Sequence, residues 1–68
     1  MRVQVRTVPR GESGERELPR GSTAADLVRD LDLPKVACLV FRSGDPIPID
    51  EPLREGDDLE VVYVASGG

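Results

Sequence analysis

Polar and apolar residues alternate over Arg2-Val3-Gln4-Val5-Arg6-Thr7-Val8, the period-two signature of a strand with one buried face. Val3 and Val5 are expected to face a core, with Arg2, Gln4 and Arg6 outward. Pro9 ends the ladder, Gly11-Glu12-Ser13-Gly14 supplies turn chemistry, and Glu15-Arg16-Glu17-Leu18 returns as a second strand with Leu18 inward. The outward Glu15 and Glu17 are placed to pair across this hairpin with Arg2 and Arg6. After Pro19 and the Arg20-Gly21-Ser22 loop the period changes. Ala24, Leu27, Val28 and Leu31 fall at i, i+3, i+4 and i+7, and Thr23 with Asp26 forms a capping-box pair in front of them. Pro34 stops the helix, because it disfavours helical backbone at Leu33. A helix of about two and a half turns does not stand alone in water, so its apolar stripe must lie on a sheet.

Val36-Ala37-Cys38-Leu39-Val40-Phe41 is a continuous apolar run, as in a strand with both faces at least partly covered. Arg42-Ser43-Gly44-Asp45 turns it into Pro46-Ile47-Pro48-Ile49, where two prolines restrict the segment to a sheet edge. A polar connection from Asp50 to Asp58, anchored by Leu53, leads to the last strand. There Leu59, Val61 and Tyr63 share one face, and Val62 and Val64 the other. The order is ββαβββ. A right-handed crossover and a single helix over one face of a mixed sheet, with the last strand beside the first in the middle, make an α+β β-grasp, the ubiquitin-like roll. Residues 1–64 are expected to form this domain and 65–68 a flexible tail. If Val36, Cys38 and Val40 point to the helix, Leu39 and Phe41 point away beside Val62 and offer a partner-docking surface. A one-residue slip exchanges the two sets, and a run buried by the fold itself is the competing reading.

Composition narrows the chemistry. Sixty-eight residues leave no room for a second domain or a large enclosed substrate cavity. The chain has no histidine and one cysteine, which excludes a hydrolytic triad, an ordinary zinc site and an internal disulfide. A net charge of −4 argues against direct nucleic-acid binding and suits a basic partner surface, although such an excess also simply keeps a small domain soluble. No apolar run approaches the roughly 20 residues of a membrane span. With a lone thiol and no signal-peptide pattern, the expected location is cytoplasmic. Asp50, Glu51, Glu55, Asp57 and Asp58 lack calcium-loop spacing and read as solvated loop acids. Cys38 in an apolar strand reads as a buried small hydrophobe. Lys35 is the sole lysine, hence the only internal side-chain amine through which the protein can be joined to another copy of itself. As a residue near a helix end, it also has a purely electrostatic reading.

What remains is the end, Ala65-Ser66-Gly67-Gly68. An ordinary frayed terminus would look similar. Two glycines after a well-anchored strand also let a backbone thread a narrow channel and adopt φ > 0 inside a partner's site. From Val64 the extended reach is roughly 13 Å. No phosphate-cradling G-x-x-x-x-G-K-[ST] loop is present, so ATP chemistry would have to come from a partner.

The ββαβ order, the Thr23-capped Ala-Ala-Asp-Leu-Val helix, the Ser43-Gly44-Asp45-Pro46 turn and the Gly56-Asp57-Asp58-Leu59-Glu60-Val61 strand ending in Gly67-Gly68 resemble the ThiS/MoaD family of sulfur carriers and the related small archaeal ubiquitin-like modifier proteins. The likeness spans the chain, and the terminal Gly67-Gly68 is its most specific element. It implies a carrier rather than an enzyme, with no catalytic residue, metal or bound cofactor of its own. An adenylating enzyme would use ATP and magnesium to activate Gly68. Gly68 would then become a thiocarboxylate supplying molybdopterin, thiazole or tRNA thiolation through a sulfur-acceptor enzyme, or an amide on target lysines. The resemblance favours a monomer that pairs transiently with its activator. The alternative is a non-covalent β-grasp binding module whose tail is chemically idle.

Overall fold

The computed structural model describes residues 1–64, and the expected free tail over 65–68, with Gly67 and Gly68, lies outside the described residues. Five strands form one mixed sheet. In chain order the elements are β1 (Arg2–Val8), β2 (Ser13–Glu17), α1 (Ala24–Asp30), a 3₁₀ turn (Lys35–Ala37), β3 (Cys38–Arg42), β4 (Asp45–Ile47) and β5 (Asp58–Tyr63). Their order across the sheet is β2-β1-β5-β3-β4. β1 runs parallel to β5, with Val5 opposite Leu59 and Val8 opposite Val62. β2 is antiparallel to β1, and β3 is antiparallel to both β5 and β4.

The alternation read along β1 holds: Val3, Val5 and Thr7 are buried, and Arg2, Gln4 and Arg6 are exposed. They meet Leu59 and Val61 of β5, Cys38 and Val40 of β3, and Ala24, Leu27 and Val28 of α1 in one core, which Leu18 and Leu53 close at its margins. The buried Thr7 hydroxyl is not stranded, because it donates to the Glu12 carbonyl. β4 is a sheet edge, where the missing donor of Pro46 costs no ladder bond. The β3–β4 hairpin turns through Ser43 and Gly44 with φ of 49° and 88°. Two successive positive φ values match the twist of the flanking strands, and the second falls on a glycine.

The helix is seven residues long and is held at both ends. Thr23 and Asp26 form the expected reciprocal capping box: the Thr23 N–H donates to Asp26 Oδ2 at 2.9 Å, and the Asp26 N–H to Thr23 Oγ1 at 3.3 Å. The first two helical N–H groups reach the 49–53 loop instead, Ala24 donating to the Glu51 carbonyl at 3.0 Å and Ala25 to that of Ile49 at 2.7 Å. At the other end Leu33 N–H bonds to Val28 O, and Asp32 N–H to Arg29 O. Asp32 takes φ 58°, so the pattern is that of a Schellman motif. The chain has therefore left the helix before Pro34 forbids its continuation. Arg16 of β2 spans to Asp30 at 2.7 Å and ties the hairpin to this end.

Three expectations need correction. Arg6 does not pair with a hairpin glutamate: it stands opposite Ser13, and its side chain bonds Glu60 of β5 at 3.4 Å. β3 begins at Cys38 and not at Val36. Val36 lies on the 3₁₀ turn with 93% of its surface exposed, so it does not point to the helix. Two of the loop acids are not solvated bystanders. Arg42 bonds Glu51 at 3.0 Å and Asp57 at 3.0 Å and donates to the Pro52 carbonyl at 2.8 Å, while Asp57 also accepts from the Arg54 N–H. Glu51 foremost, then Asp57, raises the Arg42 pKa above its ordinary value against the opposing effect of desolvation.

Leu59 is 1% exposed at the centre of the sheet, so Leu59→Ala should cost about 2–5 kcal/mol. In so small a domain that loss brings the thermal melt down sharply, and a melt like that of the wild type would contradict the packing. The Thr23 backbone N–H holds the Asp26 carboxyl below its ordinary pKa, assisted by the Thr23 hydroxyl and Arg29 and opposed by desolvation. Its stabilisation is therefore present above the unfolded carboxylate pKa and disappears as pH falls through the depressed folded value. Melts of wild type and Asp26→Asn should differ most near neutrality and converge in acid. A gap independent of pH would show that the capping charge is idle.

Candidate functional site

The sheet face away from α1 is built by strand parity alone. Side chains opposite the buried set are Arg2, Gln4, Arg6 and Val8 on β1, Glu60 and Val62 on β5, and Leu39 and Phe41 on β3. Register sorts them into rows. Gln4 stands beside Asp58; Arg6 beside Glu60, then Phe41, then Pro46; and Val8 beside Val62, then Leu39. Neighbours within a row are roughly 5 Å apart, close enough to form one surface. The face is thus polar where β5 begins and apolar where β5 ends.

Leu39 is 55% exposed and Val64 54%. Phe41 and Val62 are half-buried on the same face as Leu39. The Val64 N–H donates to the Ala37 carbonyl at 2.7 Å and brings the end of the strand against the 3₁₀ turn, on which Val36 is exposed. Several apolar side chains thus gather where the chain passes into residue 65. Sequence reasoning assembled Leu39, Phe41 and Val62 but missed Val8 and placed Val36 inside. Val8 was legible as the only apolar residue on the outer parity of β1.

Lys35 opens the 3₁₀ turn and is exposed, lining a shallow cleft on the helix side with Ala25, Arg29 and Leu33. Cys38 points into the core at 6% exposure, and burial pushes its thiol pKa up. A thiol so placed is a poor nucleophile. Among the described residues no three carboxylate or thiol groups converge as a metal site would, and Glu51 and Asp57 are turned onto Arg42. No helix among them is long and apolar enough to cross a membrane.

Comparison with solved structures identifies the fold. Small archaeal modifier protein 1 from Haloferax volcanii superposes with a TM-score of 0.73 at 17% identity, covering 100% of both chains. A putative molybdopterin converting factor subunit 1 from Pyrococcus furiosus gives 0.74 at 20%, over 94% of this chain and 98% of its own. The ubiquitin of Caldiarchaeum subterraneum gives 0.73 at 18%, over 100% and 98%. At such identities the likeness establishes the fold, and the fold is the ubiquitin-like β-grasp expected from the order of elements. The sequence profile of small archaeal modifier protein 2 matches residues 1–65, and the chain belongs to that family. No curated protein sequence matches it. That family is one of small modifier proteins.

Native protein should resist alkylation at Cys38 by iodoacetamide and react fully once unfolded. Rapid labelling of the folded chain would contradict the burial of this thiol.

Proposed function

We propose that this chain is a protein modifier and sulfur carrier whose working group is the Gly68 carboxyl. The observation that carries the reading is the apolar end of the outer sheet face, with Val8, Val62 and Leu39 in one row at the end of β5 that leads into the tail. Family membership and fold support it. A partner seated there would receive Gly67 and Gly68 in a fixed direction, with Leu39, Phe41 and Val62 as its principal contacts. The net charge of −4 suits a basic partner surface.

The chemistry follows from what a carboxylate lacks. Its oxygen is a poor leaving group, so an activating enzyme supplies ATP and magnesium and converts Gly68 to an acyl-adenylate. Attack by a sulfur donor yields a thiocarboxylate for a sulfur-acceptor enzyme of molybdopterin, thiazole or tRNA thiolation, and attack by a target lysine yields an amide. Either product leaves with AMP as the other fragment. The chain itself holds no cofactor in this scheme. It works in the cytoplasm as a monomer that meets its activator transiently.

In host extract supplied with ATP and magnesium, Gly68→Ala should fold like wild type yet form little thiocarboxylate or conjugate. Leu39→Ser should slow the same reaction while shifting stability by less than about 0.5 kcal/mol, since the side chain is already half exposed. A chain lacking Gly67 and Gly68 that still behaves as wild type would overturn the reading in favour of a non-covalent binding module.

A further inference from the structure

We propose that the free edge of β2 is a second docking site, which takes an extended segment of a partner protein whose sequence alternates basic and small apolar residues. The site is separate from the chemistry proposed for Gly68 and needs nothing from the tail. β2 lies at one side of the sheet with β1 as its neighbour, and all five of its residues are exposed. Bonds from the Leu18 N–H to the Met1 carbonyl and from the Thr7 N–H to the Glu12 carbonyl flank the strand and set the phase of its ladder. Gly14 and Arg16 therefore turn their N–H and C=O groups to β1, and Ser13, Glu15 and Glu17 turn theirs outward. A row of outward backbone groups is what an added strand pairs with.

Gly14 supplies the other half of the site. Glycine weakens a strand interior, and the backbone does not require it here, since its φ is not positive. A Cβ at Gly14 would meet nothing within 4 Å. Strand parity puts that open space on the helix side, opposite Val5, where a cleft of about 480 Å³ is bounded by Val5, Thr7, Arg16 and Leu31. A cleft of that size takes side chains and not water alone. Arg16 is held in place beside it by the 2.7 Å bond to Asp30.

Charge selects the occupant. On the outer face the outermost column of side chains is Ser13, Glu15 and Glu17, and an added strand stands roughly 5 Å from it. Glu15 accepts from the neutral Gln4 side chain at 3.3 Å, while Arg2 and Arg6 stand one strand further in and Arg6 is turned to Glu60. A second copy pairing antiparallel about Glu15 would set Glu15 against Glu15, and like charges directly opposite are unfavourable. Lysine or arginine at those positions is favourable. The residues between them fall on the helix side, where a valine or isoleucine beside Gly14 reaches the cleft over Val5 and Leu31. The docking residues Leu39, Phe41 and Val62 lie away from this edge on β3 and β5, so both sites can be filled at once.

The test uses the full chain, isotope-labelled for NMR, and a capped peptide of about seven residues alternating Lys and Val. A control peptide carries Glu in place of Lys. The expected result is slowed amide exchange at Ser13, Glu15 and Glu17 with the Lys–Val peptide, and binding of the Glu–Val peptide weaker by about fivefold or more. Gly14→Val fills the cleft and should melt no lower than wild type, yet bind the Lys–Val peptide about tenfold more weakly. Glu15→Lys combined with Glu17→Lys should invert the preference between the two peptides. Unchanged exchange at those amides, equal binding of both peptides, shifts confined to Leu39, Phe41 and Val62, or protection of the same amides by self-association without peptide would each overturn the proposal. The tail is untouched in every variant, so failure here leaves the carrier reading to the experiment on Gly68→Ala.

Discussion

The 49–53 loop lends its backbone carbonyls to the start of α1, and the architecture depends on that arrangement. A seven-residue helix has too few internal hydrogen bonds to persist alone, and its first N–H groups have no partners within it. Here Glu51 and Ile49 accept from Ala24 and Ala25, and Thr23 takes the third through its side chain. Leu53 N–H returns a bond to Ser22, and Arg42 grips the same loop from β3 through Glu51, Asp57 and the Pro52 carbonyl. Helix, loop and sheet are thereby fastened around Leu27, Leu53 and Leu59. A segment without regular structure does the positioning that a second helix would do in a larger domain.

This arrangement confines the packing to one face of the sheet and leaves the other free. Because β5 is central, it is paired on both sides as far as Val62, and β3 alone holds Tyr63. The free face changes from charged to apolar along the direction in which β5 runs. Ladder registry therefore aligns two properties that the sequence lists far apart, the apolar surface and the exit of the chain.

The strands, the helix stripe and the capping box were legible because each is written in a local period or a local pair. Val3, Val5, Leu27, Val28, Leu59 and Val61 are all buried as those periods require. The side of the sheet taken by Leu39 and Phe41 was left open by parity, since a one-residue slip exchanges the two sets, and the ladder between β3 and β5 decides it. Val36 was misread because an apolar run carries no mark of where a strand begins, and the Pro34 break allowed a 3₁₀ turn to intervene. The Arg42 cluster was invisible for a different reason. Its partners lie 9 and 15 residues away, and a loop acid that meets an arginine looks, in sequence, like one that meets water. Arg6 chose Glu60 over the hairpin because parallel pairing put β5 beside it, a long-range fact. The chemistry proposed for the tail rests on the Gly67-Gly68 pair in the sequence and on the lack of histidine and of a phosphate loop.

The central claim is that Gly68 carries the chemistry. Intact-mass analysis of the protein purified from its own host tests it most directly. The account predicts a fraction of the chain heavier by one oxygen-to-sulfur exchange, or larger species joined through Gly68 to lysines, both absent when Gly67 and Gly68 are removed. Recovery of only the unmodified mass, from cells that grow equally well with the shortened chain, would contradict it.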